Sequence, residues 1–167
     1  GEYYRNKVGK IIDDWNLTQY DQKFQDVVGH WAEKEIMFLL EKGWISGHLD
    51  GTYKPNNPIT RAQAAKIISN FLGLTPTNEK ISFSDVDQNH WAFDVVRLVA
   101  QHKIMNGLGD GRFAPEALIT RAQMAQILYN AGFYSQSINN QKHSFSDVDN
   151  NHWAYVAIET MKQEGIL

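Results

Sequence analysis

A ten-residue phrase of this chain occurs twice with one change. Phe83-Ser84-Asp85-Val86-Asp87-Gln88-Asn89-His90-Trp91-Ala92 returns as Phe145-Ser146-Asp147-Val148-Asp149-Asn150-Asn151-His152-Trp153-Ala154. A shorter version, Phe24-Gln25-Asp26-Val27-Val28-Gly29-His30-Trp31-Ala32, precedes both. A second phrase, Ile59-Thr60-Arg61-Ala62-Gln63, returns about 60 residues later as Ile119-Thr120-Arg121-Ala122-Gln123. A period of this size constrains the fold strongly, because each unit must be one supersecondary piece that buries its apolar face against its neighbours. The chain therefore parses as repeat one over residues 24–82, repeat two over 83–144 and half of a third over 145–167, all expected in one compact domain.

Each unit reads as two helices around a loop. Helix one is expected from about Trp31 to Lys42, with Ala32, Ile36, Leu39 and Leu40 on one face, and the second copy repeats this with Ala92, Val95, Val96, Val99 and Ala100. This i, i+3, i+4, i+7 spacing marks a buried stripe. Gly43 and Gly165 suit the C-terminal stop, while the second copy has Lys103 there, so the stop is not uniform in sequence. The Asp50-Gly51 and Asp110-Gly111 pairs, each with a Pro nearby, predict tight turns with a positive φ. Thr-Arg-Ala-Gln then reads as a capping box opening helix two, whose stripe is Ala64, Ile67, Ile68 and Phe71, matched by Met124, Ile127, Leu128 and Ala131.

The third unit ends at Leu167, before a loop or second helix. Residues 1–23 read either as a degenerate helix two or as an unrelated leader helix, the chain then being a fragment whose missing part lies downstream; Val8, Ile11, Ile12 and Trp15 reproduce the stripe when Tyr3 is laid on Ile59 without a gap. The expected fold is thus mainly α, with helix-loop-helix units of about 60 residues in a pseudo-three-fold bundle, closed by the N-terminal helix packing with the C-terminal half repeat.

Composition narrows the class. The 167 residues carry a net charge of −3, which argues against a nucleic-acid footprint. No apolar run reaches the roughly 18 residues of a membrane helix, so membrane insertion is not expected. The absence of cysteine excludes disulfides, thiolate metal sites and Cys nucleophiles. No apolar stretch follows Gly1-Glu2-Tyr3-Tyr4-Arg5, so no signal peptide is visible, as expected of an intracellular protein or of a mature or excised segment.

Read in order, Phe-x-Asp-Val leading into a Trp-Ala helix, then the Gly, Asp-Gly and Pro marks, then Ile-Thr-Arg-Ala-Gln, resemble the S-layer homology domain over roughly Phe24 to Leu167. The resemblance implies three repeats in pseudo-three-fold arrangement. It also implies non-covalent attachment of a surface-layer protein or exoenzyme to the bacterial cell wall, hence an extracellular, cell-surface location. The implied partner is an anionic secondary cell wall polysaccharide, often with pyruvate ketals on an amino sugar, held in grooves between repeats, or in some lineages peptidoglycan or a polymer attached to it. No cofactor or catalytic residue is implied, and the isolated module is expected to be monomeric. The chain departs from the pattern in lacking the third loop and its Thr-Arg phrase, in having Tyr4 where a capping Thr would precede Arg5, and in being one residue shorter between Asp26 and Trp31.

Arg61 and Arg121 are the leading candidates for ligand contact. A cation just after an N-cap faces the positive end of the helix dipole, which costs about 0.3–1 kcal/mol, so its recurrence calls for a compensating role. A carboxylate shared between the Arg fork and nearby free helix N–H groups is one answer. Pairing with Asp26, Asp85 or Asp147, or stacking on a Trp, is the other. Trp31, Trp91 and Trp153 suit stacking on sugar faces, or are core residues of helix one. Asp26, Asp85 and Asp147 read first as helix caps and otherwise as acceptors for sugar hydroxyls. Gly47 and Gly107 shape a groove wall or simply permit the loop.

The Asp-x-Asp-x-Asn runs imitate a calcium loop but lack its Gly at the sixth position and Glu at the twelfth. His30, His90 and His152 look like polar residues of a helix start, and no metal site is expected from them. A protein–protein scaffold and a glycan hydrolase are the alternatives to a wall-binding module. The hydrolase is disfavoured because acidic residues that recur with the repeat do not form the asymmetric pair such catalysis needs.

Overall fold

The computed structural model describes residues 24–132 and 143–166. They form five helices: α1 Glu33–Glu41, α2 Arg61–Leu72, α3 Phe93–Gln101, α4 Arg121–Asn130 and α5 Tyr155–Gln163. The fold is mainly α, with α1/α2 and α3/α4 as the helix pairs of the two full repeats and α5 as helix one of the third. Among the described residues the extended contacts are two isolated bridges, Thr60 with Leu118 and Phe83 with Val86. The N-terminal segment proposed to close the bundle, residues 1–23, lies outside the described residues.

Residues 24–58 and 66–73 form one compact unit, and residues 59–65, 74–132 and 143–166 form the other. The border runs inside α2 and not at the repeat boundary. The reason is local: the first turn of α2 is tied to the second repeat's loop, with the Arg61 and Ala62 amides donating to the carbonyls of Ala117 and Pro115, both at 2.9 Å. Orphan donors of a helix start must go somewhere, and here a neighbouring loop takes them.

In the first unit α1 buries Ile36 and Met37, and Ile36 packs with Phe24, Val27 and Ile45. In the second unit α3 buries Val96, Val99 and Ala100, while α5 contributes Tyr155, Ala157, Ile158 and Met161 to a core shared with Ala125 of α4. The expected stripe of helix two holds less well. Ala64 and Ile68 are buried, but Phe71 is 40% exposed and meets Trp44 edge-on, with centroids 4.7 Å apart. In α4, Ala125 and Ile127 are buried, whereas Met124 and Leu128 are half-buried.

The repeated acids do not cap helix one. The N-cap positions are Ala32, Ala92 and Ala154, and no side chain caps through them. The residue that reaches the helix start is the repeated histidine: Nδ1 of His30, His90 and His152 accepts from the amides of Ala32, Ala92 and Ala154 at 3.2, 3.1 and 3.1 Å. Asp26 and Asp85 instead hold the loops. Asp26 accepts from the amides of Tyr53 (3.1 Å) and Lys54 (2.7 Å), and Asp85 from those of Phe113 and Ala114, both at 2.8 Å. Lys54 and Ala114 have φ of 60° and 57°, a conformation that costs a non-glycine residue roughly 1–2 kcal/mol. It brings two successive amides onto one carboxylate, and charge-assisted hydrogen bonds offset the cost. The Lys54 amide holds the Asp26 pKa below the usual carboxylate range. Burial of Asp85 acts upward, but the Phe113 and Ala114 amides outweigh it and leave that pKa low as well.

Gly47 and Gly107 are needed for close approach. A Cβ on Gly47 would enter the Phe24 ring, and one on Gly107 would lie 2.7 Å from both the Phe83 ring and the Arg112 carbonyl. The stop of helix one is uniform in geometry although not in sequence: Gly43, Lys103 and Gly165 all take left-handed φ, at 70°, 57° and 73°. The next residue then bonds back five positions, as in Trp44 to Leu39, Ile104 to Val99 and Ile166 to Met161, the six-to-one closure of a Schellman motif. Both predicted capping boxes are present. The Gln63 and Gln123 amides donate to Thr60 and Thr120 Oγ1, and the Thr60 and Thr120 amides donate to Gln63 and Gln123 Oε1.

The two repeated arginines have different surroundings. Arg61 is 6% exposed; its Nε donates to the Phe113 carbonyl and its Nη2 to the Asn106 carbonyl, both at 2.8 Å, and its guanidinium lies 4.7 Å from the Phe113 ring centroid. Arg121 is exposed and makes no hydrogen bond or ion pair among the described residues.

These contacts lead to three measurable outcomes. Asp85→Asn keeps the shape but loses the charge and one acceptor, and should cost about 1–2 kcal/mol in urea unfolding at pH 7. Because the folded pKa is depressed, Asp85's contribution is complete above the ordinary carboxylate range near pH 4 and is lost as pH falls through the folded value. Thermal unfolding of the Asn variant should therefore change less across that acid window than that of the native chain. Arg61→Ala orphans two carbonyls and should cost about 2–4 kcal/mol, against less than about 0.5 kcal/mol for Arg121→Ala, by the same unfolding measurement. Lys103→Gly removes left-handed strain and should raise the stability by about 1 kcal/mol, seen as a higher Tm.

Candidate functional site

The three repeated tryptophans are exposed. Trp31, Trp91 and Trp153 have relative exposures of 87%, 56% and 63%, so the core role open to them in sequence is not the one they take. Each ring lies beside the imidazole that precedes it, with centroids 5.5, 5.8 and 5.7 Å apart. The histidine that receives the helix N–H therefore also orients the indole next to it. Val86, Val148, Ala92 and Ala154 fill the interior around these turns, so the large ring of each phrase is left outside while its small neighbours are buried.

In the second unit a pocket of about 210 Å³ brings together three of the candidates, Arg61, Gly107 and Trp153. It is smaller than the roughly 300–1,000 Å³ typical of sites for drug-sized ligands, a size suited to a single ring or its substituent. Among the described residues Arg61 is the one charged residue lining it, and the remaining lining side chains are apolar or uncharged amides, among them Gln123, Gln126 and Asn130. The Arg61 Nε and Nη2 are engaged by carbonyls, whereas Nη1 makes no hydrogen bond among the described residues. Arg61 thus both holds the loop and presents positive charge to the pocket. Burial pulls its pKa down and Asp85 works in the opposite direction, and a guanidinium stays protonated throughout the physiological range.

The other candidates are placed elsewhere. Asp85 touches the pocket only through the loop it clamps, and Asp26 and Gly47 shape the corresponding loop of the first unit. Asp147 is exposed, and Trp31, Trp91 and Arg121 do not line the pocket. The free helix amides expected beside the arginines are occupied at α2, where the first three go to Ala117, Pro115 and Thr60. At α4 the Arg121 and Ala122 amides have no partner among the described residues. Sequence reasoning missed Gln123, Gln126 and Asn130. Recurrence could have found two of them, since Gln63 and Asn70 are their counterparts; Gln126 has no such signal, because the first copy has Lys66 there.

Comparison with known proteins agrees with this anatomy. The family described as S-layer homology domain matches residues 23–65 and 82–125. The chain is 36% identical over 134 residues to S-layer protein EA1 of Bacillus anthracis, covering 79% of this chain and 15% of that protein. It is 33% identical over 132 residues to the cellulosome-anchoring protein of Acetivibrio thermocellus, covering 74% and 29% respectively. Cell surface glycoprotein 1 of the same organism is 44% identical over 136 residues, with 75% of this chain and 6% of that protein covered. The chain thus spans less than a third of the length of each of these relatives. With the repeated Asp clamp, the capping boxes and the exposed Trp before α1, α3 and α5 in place, and with a family match in each of the first two repeats, the chain belongs to the S-layer homology domain family.

Proposed function

We propose that this chain is a non-catalytic anchoring module that holds a protein at the bacterial cell surface by binding an anionic polysaccharide of the wall. In this reading the ligand is a secondary cell wall polymer bearing an acidic substituent, such as a pyruvate ketal on an amino sugar, and the pocket takes that substituent with its ring. The observation that carries the reading is the lining: one buried arginine as the only charge among the described residues, with an exposed indole beside it. A carboxylate entering such a pocket meets a fixed cation without a competing acid on the lining, and the sugar's apolar face has an aromatic surface to lie on. The names of the relatives, a surface-layer protein and an anchoring protein, support the same role. Arg121, whose guanidinium and first α4 amides have no partner among the described residues, is proposed as a second contact for the polymer.

Sedimentation with purified cell wall sacculi tests this directly. The chain should co-sediment with intact sacculi, release as ionic strength rises because part of the attraction is electrostatic, and fail to bind sacculi whose ketals have been removed by mild acid. Equal binding before and after ketal removal would sink the anionic-ligand reading. Arg121→Ala should weaken sedimentation several-fold while leaving the unfolding temperature unchanged.

A further inference from the structure

The amide side chains of the pocket form a relay with one direction. The Ile104 backbone carbonyl can only accept, so Asn130 turns its Nδ2 toward it, at 3.2 Å. That leaves Asn130 Oδ1 as an acceptor, and Gln126 donates to it through Nε2 at 2.8 Å. The polarity of the whole chain is thereby set by a backbone atom, and the group left over is Gln126 Oε1. It makes no hydrogen bond among the described residues, on a half-buried side chain that lines the pocket. Gln123 is oriented the other way: its Oε1 accepts from the Thr120 amide at 3.0 Å, which leaves its NH2 group as donor. The pocket therefore offers donors from Arg61 and Gln123 and a side-chain acceptor from Gln126. The first copy keeps half of this arrangement. Asn70 Nδ2 donates to the Trp44 carbonyl at 3.3 Å, but the residue in the place of Gln126 is Lys66, exposed and making no hydrogen bond or ion pair among the described residues.

We infer that Gln126 is a specificity-determining residue of this pocket: its Oε1 accepts a hydrogen bond from a hydroxyl or amide N–H of the sugar ring whose acidic group is drawn by Arg61. The inference rests on the reading of the pocket as a glycan site given above. A pocket with a pre-oriented acceptor selects rings that carry a donor at the matching position, because a ring without it leaves the desolvated acceptor unpaired. Position 126 is also where the two copies differ in chemistry, so the chain's repeats do not present the same recognition surface to a polymer.

The test is isothermal titration of the whole chain with the pyruvate-ketal methyl glycoside of an N-acetylhexosamine, alongside analogues that each lack one donor: singly deoxygenated rings and the ring without its acetamido group. The native chain should lose roughly 3- to 10-fold in affinity for one analogue. Gln126→Met, similar in shape but without the acceptor, should bind the parent glycoside that much more weakly and show no further loss for the same analogue, while its losses for the other analogues stay as in the native chain. If the Met variant loses affinity by one common factor across the panel, or binds every probe as the native chain does, Gln126 is not a reader of the ligand and the inference is overturned, with the glycan reading intact. If the native chain binds none of the glycosides, the glycan reading of the pocket falls and the inference falls with it. Thermal unfolding checks that the Met variant is folded; if it is not, Gln126→Lys, which installs the first copy's residue, replaces it with the same readout.

Discussion

The surroundings of the pocket depend on the backbone of one loop residue, Phe113. Its amide is held by Asp85 and its carbonyl by Arg61, while its ring, fully buried, lies under the guanidinium and against Phe83. A carboxylate and a guanidinium from distant positions in the chain therefore fix both polar groups of the same peptide segment. The backbone pays for this with a left-handed Ala114, and the two charge-assisted bonds to Asp85 keep it there. With the loop fixed, Gly107 can pass close to the Phe83 ring and the Asn106 carbonyl can take Arg61 Nη2, which completes the wall on which a ligand would lie.

The dual use of Arg61 follows from the shape of its side chain. A guanidinium has five N–H donors in a rigid fork, so two can be spent on backbone carbonyls and others remain for a ligand. A lysine could not divide its charge in this way with fixed geometry. Arg121 carries the same phrase in other surroundings: its side chain is exposed, and the Arg121 and Ala122 amides have no partner among the described residues. In the second repeat the groups that receive Arg61 are the carbonyls of Asn106 and Phe113. The difference between the two arginines is thus one of neighbours and not of local sequence.

Much of the fold was legible because its signals are local. Thr60 with Gln63 and Thr120 with Gln123 announce capping boxes, and Asp50-Gly51 and Asp110-Gly111 announce turns, with φ of 80° and 83° at Gly51 and Gly111. The acids were harder to read. Asp26 and Asp85 stand where a helix cap would, yet their partners are 27 to 29 residues away, and no local pattern points to an amide pair at that distance. Lys54, Lys103 and Ala114 carry positive φ without the glycine that would have revealed it. The relay through Asn130 and Gln126 was invisible for a related reason, since its direction is set by a backbone carbonyl that has no letter in the sequence.

By itself, the sequence determined the repeat, the helix pairs with their caps and stops, and the recurrence of Arg, Trp, Asp and Gly at fixed places, because period, capping and turn chemistry act within a few residues of chain. The tertiary structure alone decided the fate of those recurrent residues. It turned the tryptophans outward, put Asp26 and Asp85 on loop amides, buried one arginine and left its twin exposed, and gathered Arg61, Gly107, Gln126 and Trp153 around one pocket. Identical phrases meet different neighbours once the chain has folded, and burial, charge and hydrogen bonding depend on those neighbours.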